Sequence, residues 1–357
     1  MTSIGSRISI RENWSKIKVP ALNLGGWYDI FNNGTIDNFK GMRAYGGSEV
    51  AKSGQQLVIR PYHHMPWTTK VGEVEFGPAA DNKTNEQMVR WFNYWLKGEA
   101  NGVDKDPPVR VFVMGANTWR EASDWPIPDT RFTTYYLHSD GQANSVFGNG
   151  TLSTTPPAAE KSDHFTYDPA NPVPSRGGHS CCQANVVPQG PYDQSELEKR
   201  ADVLVFTSAP LSEPMEITGP VKVRLFAASS AADTDWTVKL VDVFPDGKAI
   251  NLTNGILRAS YRNSLEKREP IEPGKVYEYE INVGSTSNLF SRGHQIRVEI
   301  SSSNFPHYDR NLNTGRPLGD DDHMVTARQT VYHEAQRPSQ IILPIMPTAI
   351  KTADVRQ

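Results

Sequence analysis

Asp29 and His64 are the residues of this chain whose types and placing point to chemistry. Each follows a short apolar run. Val19–Leu24 reads VPALNL and leads through Gly25-Gly26-Trp27-Tyr28 into the aspartate, while Gln56–Ile59 reads QLVI and leads through Pro61 into His63 and His64. Two buried parallel strands that deliver a carboxylate and then an imidazole form the acid–base half of a serine-hydrolase triad. The carboxylate fixes the tautomer and orientation of the ring. The other ring nitrogen then takes the proton of a nucleophile and returns it to the leaving group. The nucleophilic half is not found in the sequence, where no Ser or Cys sits in a G-x-S-x-G or G-x-C-x-G setting.

The flanking pattern supplies elements to hold the pair. After the polar turn Asn32-Asn33-Gly34 the sequence predicts a helix over about 35–45, ended by Gly46-Gly47. A second helix is predicted over about 83–97, where Met88, Trp91, Phe92 and Trp95 recur at helical spacing and read as a stripe facing the core. Asp81 or Asn82 is placed to cap its start and Gly98 to close its end. Strands alternating with helices are the α/β signature, but two strands cannot stand alone, so the sheet must be completed from elsewhere. The Val19–Leu24 strand is therefore expected to carry an unpaired edge.

From about Val109 the period changes to two. Arg110–Met114, Phe132–Leu137 and Ile341–Ile345 read as strands, as do the alternations at Val221/Val223/Leu225, Tyr277/Tyr279/Ile281 and Ile296/Val298/Ile300. Turn residues such as Pro245-Asp246-Gly247 separate them. This is the pattern of an antiparallel β-sandwich, with a jelly roll as the expected form.

Composition bounds the function. A chain of 357 residues calls for two domains, and 37% hydrophobic with 22% charged residues describes a globular protein. A net charge of −3 gives no reason to expect nucleic acid or an anionic membrane as partner. No apolar run is long enough to span a bilayer, and MTSIGSRISIRENW lacks the apolar core of a secretory signal, so a cytoplasmic place is expected. The two cysteines, Cys181 and Cys182, are neighbours and close no loop. They read as two small reduced side chains, with a redox-active vicinal pair as the alternative. His63 and His64 point in different directions and have no Glu or third His at ligand spacing, so neither a metal nor another cofactor is expected. Asp320-Asp321-Asp322 with His323 lacks the alternating ligands of a calcium loop and reads as a solvated turn.

The wording around the pair is more specific than its spacing. VPALNLGGWYD, the Pro-aromatic-x-His run Pro61–His64, RWFNYWLKGE and VRVFVMGANTWREASDWPIPDT are followed by YDPANPVPSRGG, DTDWTVKLVDVFPDG, SSSNFPHYDRNLNTG and PSQIILPI. Together these resemble the bacterial cocaine-esterase-like hydrolases, a group that takes in α-amino-acid ester hydrolases, glutaryl cephalosporin acylases and X-Pro dipeptidyl-peptidase relatives. The resemblance runs over essentially the whole chain. It implies the C-terminal portion of an α/β-hydrolase domain over 1–105, a connecting segment over 106–130, a jelly-roll β-sandwich over 131–350 and a polar tail over 351–357. By position it makes Asp29 the triad acid and His64 the general base, and it sets Phe31 and the loop bearing Cys181 and Cys182 against the acyl pocket. The cysteines stand where relatives carry larger apolar residues. The family's nucleophilic serine, its oxyanion-hole tyrosine and its helical cap correspond to sequence upstream of residue 1.

Two functions follow as expectations. The first is a serine hydrolase cleaving a small-molecule ester, amide or peptide through an acyl-enzyme. Its nucleophile would come from an N-terminal hydrolase portion in cis or in trans, and this chain would be inactive alone. The second is a non-catalytic jelly-roll binding or interaction module with a relict hydrolase segment. Oligomeric state stays open, with a homo-oligomer favoured by the family and by an exposed sheet edge. Asp233, Asp235, Asn304, Tyr308, Asp309 and Asn313 read as turn and interdomain hydrogen-bonding residues.

Overall fold

A computed structural model describes residues 9–317 and 319–350; the tail expected at 351–357 lies outside the described residues. Strand β1 (Leu22–Tyr28) and strand β2 (Gln56–His63) pair in parallel, from Leu22 opposite Gln56 to Tyr28 opposite His63. Strand β2 continues through Pro61, beyond the apolar run that announced it. The ladder is irregular between Gly26 and Tyr28, alongside Pro61, and a residue without an N–H is tolerated where pairing is interrupted. Gly26 is required there, because a Cβ on it would lie 2.3 Å from the carbonyl oxygen of Tyr62.

Helix Asn32–Tyr45 joins β1 to β2, followed by the short helix Glu49–Ser53. The expected turn at Asn32-Asn33-Gly34 is instead the first turn of the helix. Beyond β2, the hairpin β3 (Lys70–Val71) and β4 (Val74–Glu75) leads to helix Thr84–Lys97. Asn82 accepts from the Thr84 N–H at 3.1 Å, and Gly98 closes the helix in the left-handed conformation at φ 72°. The stripe on this helix departs from expectation. Trp91 is buried, but Phe92 is 50% exposed and Met88 38%, with Val89 and Leu96 more exposed still. The helix is amphipathic as its spacing requires, yet only part of its apolar face meets the described residues.

Strands β5 (Val109–Val113) and β6 (Thr118–Ala122) correct a second expectation. Residues 106–130 do not merely connect: β5 pairs in parallel with β2, and β6 pairs antiparallel with β5. The period-two run at 110–114 thus belongs with the dyad strands, giving a four-stranded sheet in the order β1-β2-β5-β6. Among the described residues β1 pairs with β2 alone and forms the sheet edge.

The remaining strands are β7 (Arg131–His138), β8 (Thr151–Ser153), β9 (Asp163–Tyr167), β10 (Leu204–Ser208), β11 (Met215–Ser229), β12 (Asp235–Val243), β13 (Ala249–Arg258), β14 (Tyr277–Phe290), β15 (Gln295–Ser301), β16 (Ala327–Tyr332) and β17 (Gln340–Ile345). They follow one hydrogen-bonded path, β13-β12-β15-β10-β8-β7-β17-β11-β16-β9, with β14 on β11. All of these pairs are antiparallel except β8 with β10. The path doubles back, since β14 packs against β13 and β12 without pairing to them. Strand β12 shows no alternation because all its residues are buried; its Lys239 pairs with Glu299 and its Asp242 with His294.

The two sheets share one buried apolar cluster. The segment after β5 is stitched to β14 by Met114 and Leu289, whose N–H groups donate to Ser287 and Met114 carbonyls. Tyr28 at the end of β1 donates from its hydroxyl to the Asn251 carbonyl on β13 at 2.9 Å. Arg120 on β6 forms a bidentate pair with Glu216 on β11, at 2.7 and 2.6 Å, and Glu216 is fully buried. The end of β1 is therefore held against the large sheet. Among the described residues, no helix is long and apolar enough to cross a membrane.

Candidate functional site

The register of β1 on β2 sets the site. Tyr28 stands opposite His63, so the next residues, Asp29 and His64, leave adjacent strand ends together. Nδ1 of His64 lies 3.2 Å from both carboxylate oxygens of Asp29. The side chains are 32% and 14% exposed, sheltered but open on one side. Asp29 is itself held, its Oδ1 accepting the Phe31 N–H at 2.8 Å, while the main-chain oxygen of His64 accepts the Trp67 indole N–H at 2.7 Å. A carboxylate on Nδ1 leaves the lone pair on Nε2, the arrangement of a general base awaiting a proton donor.

Phe31 sits at the N-terminus of helix Asn32–Tyr45, half-exposed, with its ring edge-on to His64 at 5.2 Å between centroids. His63 turns the other way into the protein. Burial pushes its imidazole below the ordinary 6.5, against the opposing pull of Asp29, and its Nδ1 has no hydrogen-bond partner among the described residues.

Asp29 opens onto a cavity of about 650 Å³ whose far wall is the 178–190 loop. Gly178 and Gly190 exchange N–H···O bonds of 2.8 and 3.1 Å, which pinch the loop at its neck. Both have φ near +100°, a conformation open to glycine at no steric cost. The hairpin β3–β4 steadies the neck: Glu73 pairs with Arg176 at 3.0 Å and accepts the Asp193 N–H at 3.1 Å. So fixed, the loop brings Cys181 and Cys182 to the cavity, their sulfurs and a ring nitrogen of His64 all within 4.8 Å of one another. The cysteines are joined in a disulfide, which corrects the expectation of two reduced side chains. Sequence spacing could exclude a loop-closing role, but not a bond between neighbours.

Beyond the loop bearing His179 and the cysteines, the wall was not read from the sequence. His179 and His307 line the cavity, and burial lowers both imidazoles, His307 to about 4, so they are neutral. Asn254 bonds both His179 and Tyr308, at 3.2 and 3.0 Å. Tyr308, expected to be a turn residue, faces the cavity, and burial pushes its hydroxyl up to about 12. Asn32 is buried on the Asp29 side with neither amide atom hydrogen-bonded among the described residues. A histidine beside two cysteines was the one local signal in this group. Among the described residues, no Ser or Thr hydroxyl is hydrogen-bonded to the His64 ring.

Residues 101–342 match the family model of the X-Pro dipeptidyl-peptidase C-terminal non-catalytic domain, and residues 2–66 match that of the X-Pro dipeptidyl-peptidases of the S15 family. The chain is 42% identical over 344 residues to a cocaine esterase from Rhodococcus sp. (strain MB1 Bresler), covering 95% of this chain and 58% of the esterase. Against a putative Xaa-Pro dipeptidyl-peptidase from Bacillus cereus it is 26% identical over 239 residues, 64% of this chain and 35% of that protein. Among solved structures, an aminopeptidase from the marine sediment archaeon Thaumarchaeota archaeon superposes with a TM-score of 0.82 at 28% identity, over 96% of this chain and 58% of that one. An α-amino acid ester hydrolase gives 0.81 at 25% identity with the same coverage. The chain covers a little over half the length of the cocaine esterase and of both solved structures, and about a third of the Bacillus cereus protein.

Proposed function

The chain belongs to the X-Pro dipeptidyl-peptidase family, and on that premise we propose that it carries the acid and the base of a serine hydrolase cleaving ester or amide bonds. The family is of serine esterase and X-Pro peptidase type. The observation that carries the reading is the contact of His64 Nδ1 with both oxygens of Asp29 at the ends of adjacent parallel strands. Asp29 holds the ring with its Nε2 lone pair outward. His64 takes the proton of a serine hydroxyl as the serine attacks the acyl carbon, and gives it to the departing alcohol or amine. It then takes a proton from the water that cleaves the acyl-enzyme.

In this reading the serine comes from a further hydrolase portion, in the same polypeptide or a separate one. Three observations support this: the edge of β1, the exposed apolar face of helix Thr84–Lys97, and the 58% of the cocaine esterase that the chain covers. The first sheet is then the last part of an α/β-hydrolase domain, and the doubled-back large sheet is a jelly roll whose 178–190 loop walls the acyl pocket. Cys181 and Cys182 line that pocket, with Phe31 edge-on to His64 beside it. Non-catalytic chemistry over 101–342 fits this division, because Asp29 and His64 both fall within residues 2–66.

The test uses a p-nitrophenyl ester and a fluorophosphonate label. The 357-residue chain alone is expected to show neither turnover nor labelling. Joined to the serine-bearing portion of a relative it is expected to gain both, and His64→Ala is expected to abolish turnover. Turnover by the pure chain that Asp29→Asn removes would sink the claim that the nucleophile comes from outside it. A joined hydrolase unaffected by His64→Ala would sink the role of the base.

A further inference from the structure

We infer that Cys181 and Cys182, when reduced, form with His64 a site for a soft divalent cation of the zinc class. The donors are three, two sulfurs and one imidazole nitrogen, and they lie within 4.8 Å of one another across 117 residues of chain. A tetrahedral ion with bonds of about 2.0–2.3 Å sets its ligands roughly 3.5–3.8 Å apart, so the imidazole and the sulfurs need close only a little, while the two sulfurs, bonded in the oxidised chain, move apart once reduced. Two thiolates and one neutral imidazole make a Cys2His set that leaves the fourth position open to the cavity.

The surroundings match what a metal-ligating histidine needs. Such a histidine donates its other ring N–H to a carboxylate, which fixes the tautomer and raises the basicity of the ligating nitrogen. Asp29 occupies that place on Nδ1 at 3.2 Å, so the lone pair of Nε2 is free for a cation. The ligands are mounted on held backbone. The cysteines lie in the loop pinched by Gly178 and Gly190, and His64 directly follows β2.

The disulfide gates the site. A bond between sequence neighbours closes no length of chain, so the stability of the fold does not depend on it. Cys182 is exposed and Cys181 half-buried on an open cavity, within reach of a reductant. A dithiol reductant transfers two electrons and two protons: the Cys181–Cys182 bond breaks to two thiols, and the reductant closes to its own disulfide. The cation then binds as both thiols release their protons. If His64 is the triad base, as proposed above, a cation on Nε2 occupies the lone pair that would accept the serine proton. In the hydrolase joined to its serine-bearing portion, the reduced, metal-bound form is then inactive and the oxidised form active.

The experiment is a Co2+ titration of the full chain after reduction by a phosphine and removal of the reductant. The expected result is one Co2+ per chain, with a thiolate-to-cobalt charge-transfer band in the near ultraviolet and the visible bands of tetrahedral cobalt. Neither signal is expected from the oxidised chain or from the double variant Cys181→Ser/Cys182→Ser. His64→Gln is expected to weaken binding by roughly 100-fold, and Asp29→Asn by about 10–100-fold. Absence of the charge-transfer band in the reduced wild-type chain overturns the site. So does wild-type affinity in His64→Gln, which would mean that the dithiol binds alone. The readout uses no ester, so failure of the triad reading leaves it intact, and a missing cobalt spectrum leaves the triad reading intact.

Discussion

Arg120 and Glu216 hold the sheet that carries Asp29 and His64 against the large sheet, and the geometry allows the cost of parting them to be worked out. Glu216 is fully buried and accepts four bonds: two from Arg120, one from the Thr218 hydroxyl at 2.9 Å and one from the Ile350 N–H at 2.7 Å. Arg120→Ala leaves the carboxylate without its countercharge, a change that costs about 3–5 kcal/mol for a buried pair. Two neutral donors remain, which places the expected loss near the lower end, at about 3 kcal/mol. Adding Glu216→Gln removes the stranded charge; its one amide oxygen can accept from the Ile350 N–H, and its NH2 can donate to the Thr218 hydroxyl. Only neutral hydrogen bonds are then lost, at about 1–2 kcal/mol in all. The second substitution should therefore stabilise the first, a sign that few pairs of destabilising changes share. Urea unfolding followed by tryptophan fluorescence on the wild type and the two variants reads the order directly. If Arg120→Ala lies within about 0.5 kcal/mol of wild type, the range of ordinary surface changes, or if the double variant is the less stable of the two, the ion pair does not join the sheets as argued.

Four other outcomes are expected. Buried His333 is pushed down by desolvation but more strongly up by Asp163 and Glu160, at 2.9 and 3.0 Å, leaving it above its ordinary 6.5. A raised folded value means stability that is fully present below pH 6.5 and lost as pH rises through the folded value, so the melting temperature of the wild type should fall over that window and that of His333→Gln should not. Gly26→Ala sets a Cβ 2.3 Å from the Tyr62 carbonyl oxygen and should lower stability by about 1–3 kcal/mol in the same urea assay. In the joined hydrolase, Asp29→Asn should reduce kcat on the order of 10⁴-fold with little change in KM, because the ring loses its tautomer while the pocket is unchanged. Phe92→Asp with Leu96→Glu on the exposed helix face should reduce light scattering by the isolated chain without lowering its melting temperature, and should weaken its association with a serine-bearing portion.

The Asp29–His64 contact was legible from sequence because it needs only local information. Two apolar runs joined by a helix become neighbouring parallel strands, and the residues that follow them emerge side by side. The strands at 221–225 and 277–281 were equally plain, each with one face wet and one dry; 296–300 alternates in sequence, but all five residues are buried, with Arg297 paired to Glu198 and Glu299 to Lys239. Strand β12 was hidden because both its faces are buried and its charges are paired. Strand β5 was visible as a strand but not as a member of the first sheet, and β6 was not read at all. A period of two reports that a strand has two faces and says nothing of which strand it will pair with. The stripe on helix Thr84–Lys97 was read as core because amphipathicity shows that a face seeks cover, without showing that these residues provide it.

What the order of amino acids settled was the placing of Asp29 and His64 after consecutive strands and the family to which the chain belongs. What the folded chain alone decided was the company these residues keep. The bond between Cys181 and Cys182, their approach to His64, and the ring of His179, Asn254, His307 and Tyr308 around the cavity depend on a loop pinched between two glycines and steadied by a hairpin a hundred residues away. No periodicity or spacing encodes such a meeting. It follows from the free energy of packing two sheets into one core, a sum over contacts that exist only when the whole chain is in place.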